Sequence, residues 1–307
     1  MNETTPAPGR TPTPIVVTGG TGTLGRLVVK RLLAAGVPVR VLSRSIPDAA
    51  ARRPGVEYVA ADLEQGDGIG AAVAGVDTVV HLAGSGTGDE LKARNLVHAA
   101  SAAQVKHLVY ISVVGADRIP VVTKTDRNMF GYFEQKRAAE LVVAESGIPH
   151  TTLRATQFDE LVWLVAGVMA KLPVIPLPRG LRAQPVAAAD VADHLVPLAL
   201  GAPAGLVPDV AGPRVYDAAE LLRGYLRAVG KRRPIVRIGL PGRAAKAMLG
   251  GANLSPERAV GTRTWEEVVA EQVGQRAVED GDAELPGIGR RGGGRSRTTG
   301  RPVKAGR

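Results

Sequence analysis

The sequence predicts an α/β fold in which a doubly wound parallel sheet carries helices on both faces, with a small C-terminal lobe. Three observations support this prediction: an apolar, β-branched run near the N-terminus, a glycine cluster directly after it, and alternating strand-like and helix-like segments to about residue 155. Right-handed crossovers between parallel strands place helices on both faces. Aromatic residues make up only 3% of the 307 residues, so we expect a core of Ala, Val and Leu.

The elements are predicted in regular order from apolar periodicity and from glycine and proline stop signals. Strands are predicted at residues 15–18, 38–44, 56–60, 76–84, 106–112 and 150–154. Helices between them are predicted at residues 23–35, 69–74, 89–104 and 128–146. Beyond residue 154 the pattern loosens around a proline-rich stretch, with helices predicted at 158–171, 190–200, 218–229, 243–249 and 265–275 and a strand at 235–238. We expect this part to form a substrate lobe rather than a separable domain.

The positive charge lies mainly at the C-terminal end. The net charge is +10, and residues 290–307 contain seven basic residues and no acidic one, so the rest of the chain carries +3. We predict a flexible lead-in (1–13), one folded domain (14–285) whose lobe begins near residue 155, and a disordered Arg/Gly tail (286–307). The tail has no interleaved aromatic residues, which favours a solubilising segment over a nucleic-acid contact.

Composition also excludes several classes of protein. The chain has no cysteine, which excludes disulfides, thiolate catalysis and cysteine-based metal sites, and we predict no metal site. The longest apolar run, residues 161–170, is shorter than the roughly 20 residues that a membrane helix needs. With no signal segment at the start, we expect a soluble, cytoplasmic protein. Its state as monomer or dimer stays open.

The glycine cluster after the first strand is typical of a dinucleotide site. Gly19 permits a sharp turn, Gly22 lets the backbone approach a pyrophosphate, and Gly25 lets the following helix pack close to the strand. The phosphates then lie on the N-terminus of that helix. The other cofactor contacts expected in this loop are Thr21, Thr23, Leu24 and Arg26. A glycine-rich turn in another α/β fold is the alternative.

The end of the second strand favours NADP(H) over NAD(H). A site for NAD usually has an acidic residue there, which binds the ribose 2′-hydroxyl. This chain has Ser43 and Arg44 instead, and Arg44 is suited to pair with the 2′-phosphate of NADP. Arg26 is a second candidate for that phosphate. NAD(H) remains the alternative cofactor, with Arg44 then a solvated residue.

Other strand ends supply further candidate cofactor contacts. Asp62 is a candidate acceptor for the adenine amino group, with Leu63 packed against the ring, although Asp62 is also suited to cap a turn. Ala83 and Gly84 are small enough for the cofactor to cross the fourth strand. His81 is interpreted as a packed residue rather than a catalytic one.

Tyr132 and Lys136 form a candidate catalytic pair. Their i, i+4 spacing places both on one face of a helix. A phenol has a pKa near 10, and a nearby ammonium lowers that pKa toward the range useful for proton transfer. The same ammonium is suited to hold the nicotinamide ribose.

These motifs together resemble the short-chain dehydrogenase/reductase superfamily, and more closely its atypical, NmrA-like NAD(P)H-binding branch. The resemblance extends over about residues 14–271, and its motifs are the loop at 18–26, Asp62-Leu63, the Tyr132/Lys136 pair, and segments 107–112, 153–158 and 184–192. It implies a Rossmann-like fold and a catalytic set of Ser112, Tyr132 and Lys136. Val113 and Val114 follow Ser112 where many relatives have another hydroxyl residue, and some relatives sense NADP without turnover.

We therefore predict an NADP(H)-dependent oxidoreductase that transfers hydride to a carbonyl, quinone or polarised alkene of a small apolar substrate. Half of the ten aromatic residues lie between residues 130 and 163, which favours a flat or apolar substrate, although helix packing explains them too. Gln157, Phe158 and Trp163 are the predicted pocket wall. The alternatives are a non-catalytic NADP(H) sensor that acts on a protein partner, a nucleotide-sugar epimerase or dehydratase, and RNA binding through the tail.

Overall fold

The computed structural model describes residues 13–282, with side chains to residue 274. Its strands are β1 (Ile15–Thr18), β2 (Val39–Ser43), β3 (Val56–Ala60), β4 (Thr78–His81), β5 (His107–Val113), β6 (His150–Ala155), β7 (Ile175–Pro178), β8 (Arg182–Ala183), β9 (Gly205–Leu206), β10 (Tyr216–Asp217) and β11 (Ile235–Ile238). Its helices are α1 (Thr23–Ala34), α2 (Ile69–Val73), α3 (Asp89–Ala102), α4 (Lys124–Ala144), α5 (Asp159–Met169), α6 (Ala188–Leu200), α7 (Ala218–Ala228), α8 (Arg243–Leu249) and α9 (Trp265–Asp282).

Within this described part, seven parallel strands form the central sheet in the order β3-β2-β1-β4-β5-β6-β9. The order reverses between β1 and β4, whose last residues, Thr18 and His81, lie side by side. In an open α/β sheet, this reversal opens a crevice at the carboxyl ends of the strands, where ligands bind. The predicted α/β fold with a doubly wound parallel sheet is therefore confirmed.

Because side chains alternate in direction along each strand, the core has two layers, one on each face of the sheet. Val17 of β1 packs with α1 and α6 on one face, whereas its neighbour Val16 packs with α2, α3 and α4 on the other. Successive side chains of a strand point to opposite faces, so one apolar run contributes to both layers. The buried side chains in both layers are mostly Val, Leu, Ile and Ala, in keeping with the shortage of aromatic residues.

After β6 the chain divides: α6 and β9 belong to the central sheet and its core, whereas α5, α7 and α9 pack together in a cluster of their own, called the lobe here, with an aromatic centre. Trp163 of α5 meets Tyr225 of α7 edge to face, with ring centroids 4.6 Å apart. Trp265, at the start of α9, packs against the same Trp163 at 6.2 Å. Strands β7 and β11 pair in parallel at the side of this lobe, separate from the central sheet.

Several local predictions were wrong. Helix α4 begins at Lys124 rather than at residue 128, because Thr123 and Asp126 form a reciprocal capping box with backbone contacts of 3.0 and 3.1 Å. Only a 3-10 turn, Ala49–Ala51, connects β2 with β3, so the alternation of strands and helices has an exception. The sequence analysis missed β7, β8, β9 and β10, since three of them have two residues and β7 contains two prolines.

Two predictions lie wholly or mostly outside the described residues: the flexible lead-in and the basic tail. Among residues 13–282, the helices are too short or too polar to cross a membrane. The predicted cytoplasmic location stays a prediction.

Candidate functional site

Packing around the loop between β1 and α1 requires glycine at two positions. Gly19 has φ +67°, and a Cβ there would lie 2.8 Å from the backbone nitrogen of Ala83. A Cβ on Gly25 would lie only 2.0 Å from the carbonyl oxygen of Gly19. Since neither position has room for a side chain, α1 packs directly against the turn. A Cβ on Gly22 would have only the Gly19 carbonyl oxygen within 4 Å, at 3.3 Å, so the outer side of Gly22 stays open.

The start of α1 is suited to bind an anion. No side chain caps its first turn, and that turn contains no acidic residue. The first N–H groups of a helix have no partner within the helix, and the helix dipole favours negative charge there. The geometry fits a bound pyrophosphate held by the backbone.

A groove of about 380 Å³ lies over this loop and the carboxyl ends of β2, β3 and β4. Nine of the predicted cofactor residues line it: Gly19, Thr21, Gly22, Ser43, Arg44, Asp62, Leu63, Ala83 and Gly84. The other four residues predicted in this loop do not line the groove. Leu24 and Gly25 are buried beneath the turn, whereas Thr23 and Arg26 are exposed outside the groove.

The groove end at β2 contains an arginine without an ionic partner. Arg44 is exposed and makes no ion pair with any described residue. The neighbouring Ser43 hydroxyl already donates to the carbonyl of Ser45 at 2.9 Å, so it can only accept a bond from a ligand. Arg26, the second candidate for the 2′-phosphate, lies outside the groove, and its carbonyl accepts from Arg53. Its assignment to the 2′-phosphate stays a prediction.

Asp62 caps a turn, which was the alternative interpretation of this residue. Its Oδ1 accepts the backbone N–H groups of Glu64 and Gln65, at 2.7 and 3.2 Å. The adjacent Leu63 is buried and also contributes to the groove wall. Asp62 therefore shapes the groove through its backbone turn and has its second carboxylate oxygen left for a ligand.

The sequence analysis missed a lysine in the groove. Lys92 of α3 lines the groove with Glu64 and Ser85, forms an ion pair with Glu64 at 2.9 Å and donates to Ser85 Oγ at 2.5 Å. Its ammonium places a second positive charge beside Gly84. A signal was present in the sequence: Lys92 occupies the same helix face as the buried residues Ala93 and Leu96, where a lysine is unusual.

The candidate catalytic pair is arranged differently from the prediction. Lys136 Nζ lies 3.0 Å from Asp89 Oδ2, with both side chains buried, and donates to the carbonyl of Ile111 at 3.5 Å. The same Nζ is 5.9 Å from the centroid of the Tyr132 ring. A Cβ on Gly84 would lie 2.9 Å from this Nζ, so the ammonium stands directly behind the groove wall.

The predicted lowering of the Tyr132 pKa was wrong. Although the Tyr132 residue is 38% exposed, desolvation of its hydroxyl, and secondarily the charge of Asp89, raises its pKa to about 12. The carboxylate of Asp89 offsets the ammonium of Lys136, which was expected to stabilise a phenolate. Tyr132 is therefore a neutral phenol at neutral pH, able to donate a proton.

Ser112, the third candidate catalytic residue, is buried at the end of β5. Its Oγ has no hydrogen-bond partner among the described residues, and neither has the hydroxyl of Tyr110. Such unpaired buried hydroxyls are uncommon in proteins, and they often mark a functional position.

His81 is a packed residue, as interpreted. Its Nδ1 accepts from the hydroxyl of Thr18 at 2.7 Å, since that oxygen already accepts the N–H groups of Leu82 and Ala83. Burial lowers the pKa of His81 to about 3, so the ring stays neutral. This buried contact joins the ends of β1 and β4 beneath the groove.

Only one of the three predicted substrate residues lies in a pocket wall. Gln157 lines a second cavity of about 280 Å³ in the lobe. Phe158 instead packs against the core layer under α1 and α6, and Trp163 packs against Tyr225. Neither residue lines this cavity, and their assignment to the substrate pocket stays a prediction.

Comparison with known proteins agrees with this geometry. Residues 19–199 match the protein family described as NAD(P)H-binding. The chain is 32% identical over 237 residues to the (4-alkanoyl-5-oxo-2,5-dihydrofuran-3-yl)methyl phosphate reductase of Streptomyces griseus. This match covers 74% of this chain and 77% of the reductase. It is also 34% identical over 155 residues to the chloroplastic protein High Chlorophyll Fluorescence Phenotype 244 of Arabidopsis thaliana. That match covers 48% of this chain but only 37% of the plant protein.

A similar fold occurs in the crystal structure of an NADPH-dependent quinone oxidoreductase from Escherichia coli in complex with NADPH. The TM-score is 0.69 at 23% identity, over 84% of this chain and 99% of the other. Reductases thus recur among the proteins that this chain resembles, in agreement with the predicted enzyme class. The glycine loop, the groove above it and the match over most of the sheet lead to one conclusion: the chain belongs to the NAD(P)H-binding family, as the resemblance implied.

Proposed function

We propose that this protein is an NADP(H)-dependent reductase that transfers hydride to a carbonyl, quinone or polarised alkene of a small apolar substrate. The observation that carries the proposal is Arg44, which lines the groove at the end of β2 and forms no ion pair with any residue of the described part of the chain. An arginine here neutralises a 2′-phosphate, whereas the carboxylate typical of an NAD site would repel it. The similarity to a reductase and to an NADPH-dependent quinone oxidoreductase supports the same class.

The groove residues divide the cofactor between them. The start of α1, where no side chain caps the first turn, would hold the pyrophosphate through backbone N–H groups. The N–H of Gly22 is not among them, because it donates to the carbonyl of Gly19 at 2.9 Å. Arg44 and Ser43 hold the adenosine ribose end, with Ser43 accepting a bond. When bound, the nicotinamide supplies the hydride. Lys92 adds positive charge near the phosphates, next to Gly84.

Tyr132 is the proposed proton donor. The phenol keeps its proton at neutral pH, as a phenol of ordinary pKa does, and its role is to deliver that proton to the oxygen that gains negative charge during hydride transfer. The rise of its pKa to about 12 makes it a weaker acid than an unperturbed phenol. Lys136 already uses two of its donors, toward Asp89 and Ile111, and its remaining N–H is available to a ribose hydroxyl beside Gly84. Ser112 orients the acceptor oxygen.

The test is oxidation of NADPH by the purified protein with a panel of quinones, aldehydes and enones. We expect turnover with at least one acceptor, and a drop in kcat of about a hundredfold or more in Tyr132→Phe, the usual contribution of a positioned acid. Absence of NADPH oxidation across the panel would refute the proposed reaction.

A non-catalytic NADP(H) sensor is the second candidate. The observation that favours it is the state of Tyr132 and Ser112. Desolvation and the charge of Asp89 raise the pKa of the phenol, and the buried Ser112 hydroxyl has no hydrogen-bond partner among the residues that the structure describes. A sensor binds NADPH tightly but does not oxidise it, and Tyr132→Phe leaves that binding unchanged. An epimerase or dehydratase is less consistent with Arg44, because that chemistry usually retains NAD.

A further inference from the structure

Helix α5 contains the apolar run at residues 161–170, yet most of that run is not buried. An apolar run of this length usually forms a core helix, but only Asp159 and Ala166 of α5 are buried. Leucine and valine side chains instead form an apolar strip along α5 and the turn after it, each between 43% and 62% exposed: Leu161, Leu164, Val165, Val168 and Leu172. Their spacing of three or four residues places them on one side of the helix. Exposed apolar area of this kind marks an interaction surface.

The apolar strip leads into the parallel ribbon of β7 and β11. Val174, in the connection from α5 to β7, is 45% exposed. In the ribbon, Pro176 pairs with Val236, and Ile238, two residues further along β11, points to the same face. Pro176, Val236 and Ile238 are all exposed, whereas Ile175, on the opposite face of the ribbon, is buried. The apolar strip, Val174 and this ribbon face together form the apolar surface.

Five cations, the cationic rim, border the apolar surface. Lys171 follows α5, and the basic residues 231–233 precede β11. The backbone N–H of Ile175 donates to the carbonyl of Pro234 at 2.9 Å, so these two segments run side by side. All members of the rim are exposed, and none forms an ion pair with a described residue: Lys171, Arg179, Lys231, Arg232 and Arg233.

The two chain segments that build this part of the protein contain no acidic residue. Residues 161–189 have three basic side chains, and residues 221–256 have eight, with no Asp or Glu in either segment. Arg237, within the ribbon, pairs with Asp217 at 2.7 Å. Asp159 and Glu160 lie at the N-terminal end of α5, far along the helix from Lys171. Uncompensated positive charge therefore lies next to exposed apolar area.

An anionic lipid surface matches both of these features. Lipid phosphates attract exposed lysine and arginine side chains, and the boundary with the acyl chains accepts leucine and valine. A second copy of the chain, paired through the same surface, would bring two cationic rims together. The centre of a contact with another protein usually contains aromatic residues, whereas the exposed side chains of the apolar surface are all aliphatic.

We propose that the apolar surface and its cationic rim dock this protein on a membrane that contains anionic lipids. The contact is peripheral: α5 has 11 residues, too few to span a bilayer, and its apolar strip enters the boundary between headgroups and acyl chains. Docking of this kind does not depend on the proposed reductase activity.

Sedimentation of the full chain with vesicles tests the proposal. The two vesicle types are phosphatidylcholine alone and phosphatidylcholine with about 30% phosphatidylglycerol, which supplies the negative charge. We expect binding to the anionic vesicles to be about tenfold tighter or more, and to weaken as sodium chloride is added. Equal binding to the two vesicle types, or no binding to either, overturns the proposal.

A leucine pair tests the apolar surface. Leu164 is 62% exposed on α5, and Leu206 is 57% exposed on β9, away from this surface. Leu164→Gln removes apolar contact without changing charge, so we expect about tenfold weaker binding to the anionic vesicles. Leu206→Gln makes the same change and should bind as the wild type does. Equal effects of the two variants contradict the assignment.

A lysine pair tests the cationic rim. Lys231→Glu reverses one charge of the rim, and Lys30→Glu makes the same change at an exposed position of α1. We expect about a tenfold loss of binding to the anionic vesicles in Lys231→Glu and little loss in Lys30→Glu. The seven basic residues at 290–307 are present in every variant, so the comparison between variants locates the binding. Equal losses in these two variants would refute the role of the rim.

Other occupants of the surface have different signatures. Sedimentation equilibrium without lipid that shows a dimer for the wild type and a monomer for Leu164→Gln assigns the surface to a second copy and overturns the proposal. An acidic protein partner would leave both vesicle types unbound. Vesicle binding that depends on Leu164 and Lys231, in a protein that never oxidises NADPH, refutes the reductase and leaves the docking surface intact.

Discussion

The Nζ atom of Lys136 lies 3.0 Å from the Oδ2 atom of Asp89, in an ion pair that is buried between α3 and α4. The pair holds the ammonium against Gly84, at the wall of the cofactor groove. It also places a carboxylate close enough to Tyr132 to add to the effect of desolvation on the phenol pKa. One contact between two helices thus determines where the lysine lies and adds to the rise of the tyrosine pKa.

Breaking this buried pair should destabilise the protein strongly. Lys136→Met leaves the carboxylate of Asp89 buried without its cation, so we expect the free energy of unfolding to fall by about 3–5 kcal/mol. The control is Lys106→Met, since Lys106 pairs with Asp77 at 2.8 Å but its side chain is 74% exposed. That exposed pair is expected to contribute less than about 1 kcal/mol. Urea unfolding of the two variants measures the difference, and equal losses would contradict the assignment.

The phenol of Tyr132 should ionise only at high pH. Its folded-state pKa of about 12 lies above the ordinary value of 10.0, so folding favours the protonated form. The stability from this group is present below pH 10.0 and is lost as the pH rises toward about 12. Absorbance titration of wild type minus Tyr132→Phe should show a phenolate that forms near the upper value. A difference titration centred below 10.0 would instead indicate activation by Lys136.

Arg44 should control the choice between the two nicotinamide cofactors. Arg44→Asp removes a charged partner of the 2′-phosphate, so we expect affinity for NADP⁺ to fall about tenfold or more while affinity for NAD⁺ holds or rises. Arg26→Asp makes the same change of charge outside the groove and should affect NADP⁺ much less. Calorimetric titration of each variant with both cofactors measures this. If the two variants lose NADP⁺ affinity equally, the assignment of Arg44 fails.

The close packing at Gly25 should tolerate no side chain. Gly25→Ala places a methyl group 2.0 Å from the Gly19 carbonyl oxygen, so the loop must move, and we expect lower stability with weakened cofactor binding. Gly70→Ala, within α2, meets no atom within 4 Å and should stabilise the protein by about 0.5–1 kcal/mol. Thermal unfolding with and without NADP⁺ compares them. An unchanged response of Gly25→Ala to NADP⁺ would contradict this account of the loop.

Local sequence patterns were sufficient for much of the fold and for the groove. Gly19, Gly22 and Gly25 predicted a turn whose geometry the structure confirms, because strand, turn and helix are adjacent in the chain. The end of β2 could likewise be located from its apolar run, which placed Arg44 in the groove wall. The capping box of α4 was overlooked, although Thr123 and Asp126 are close in sequence.

Local sequence patterns could not predict contacts between segments that are distant in sequence. The spacing of Tyr132 and Lys136 correctly placed both on one helix, but it contained no information about α3, whose Asp89 engages the lysine. Gln157 was predicted as a pocket residue without its partner Asn253, which follows it by 96 residues. Phe158 and Trp163 were assigned to the pocket on type alone, and only packing shows which side of each ring is occupied.

The sequence by itself therefore determined the fold class and the glycine turn, since those depend on periodicity and on glycines at fixed spacing. The family followed from the resemblance of its motifs, which the family match over residues 19–199 confirms. The tertiary structure alone decided the direction of the Tyr132 pKa shift, the position of the Lys136 ammonium and which buried hydroxyls, Ser112 among them, have no hydrogen-bond partner within residues 13–282. Charge and hydrogen bonding in the interior depend on which groups meet after the helices pack, and that pairing is a property of the folded chain.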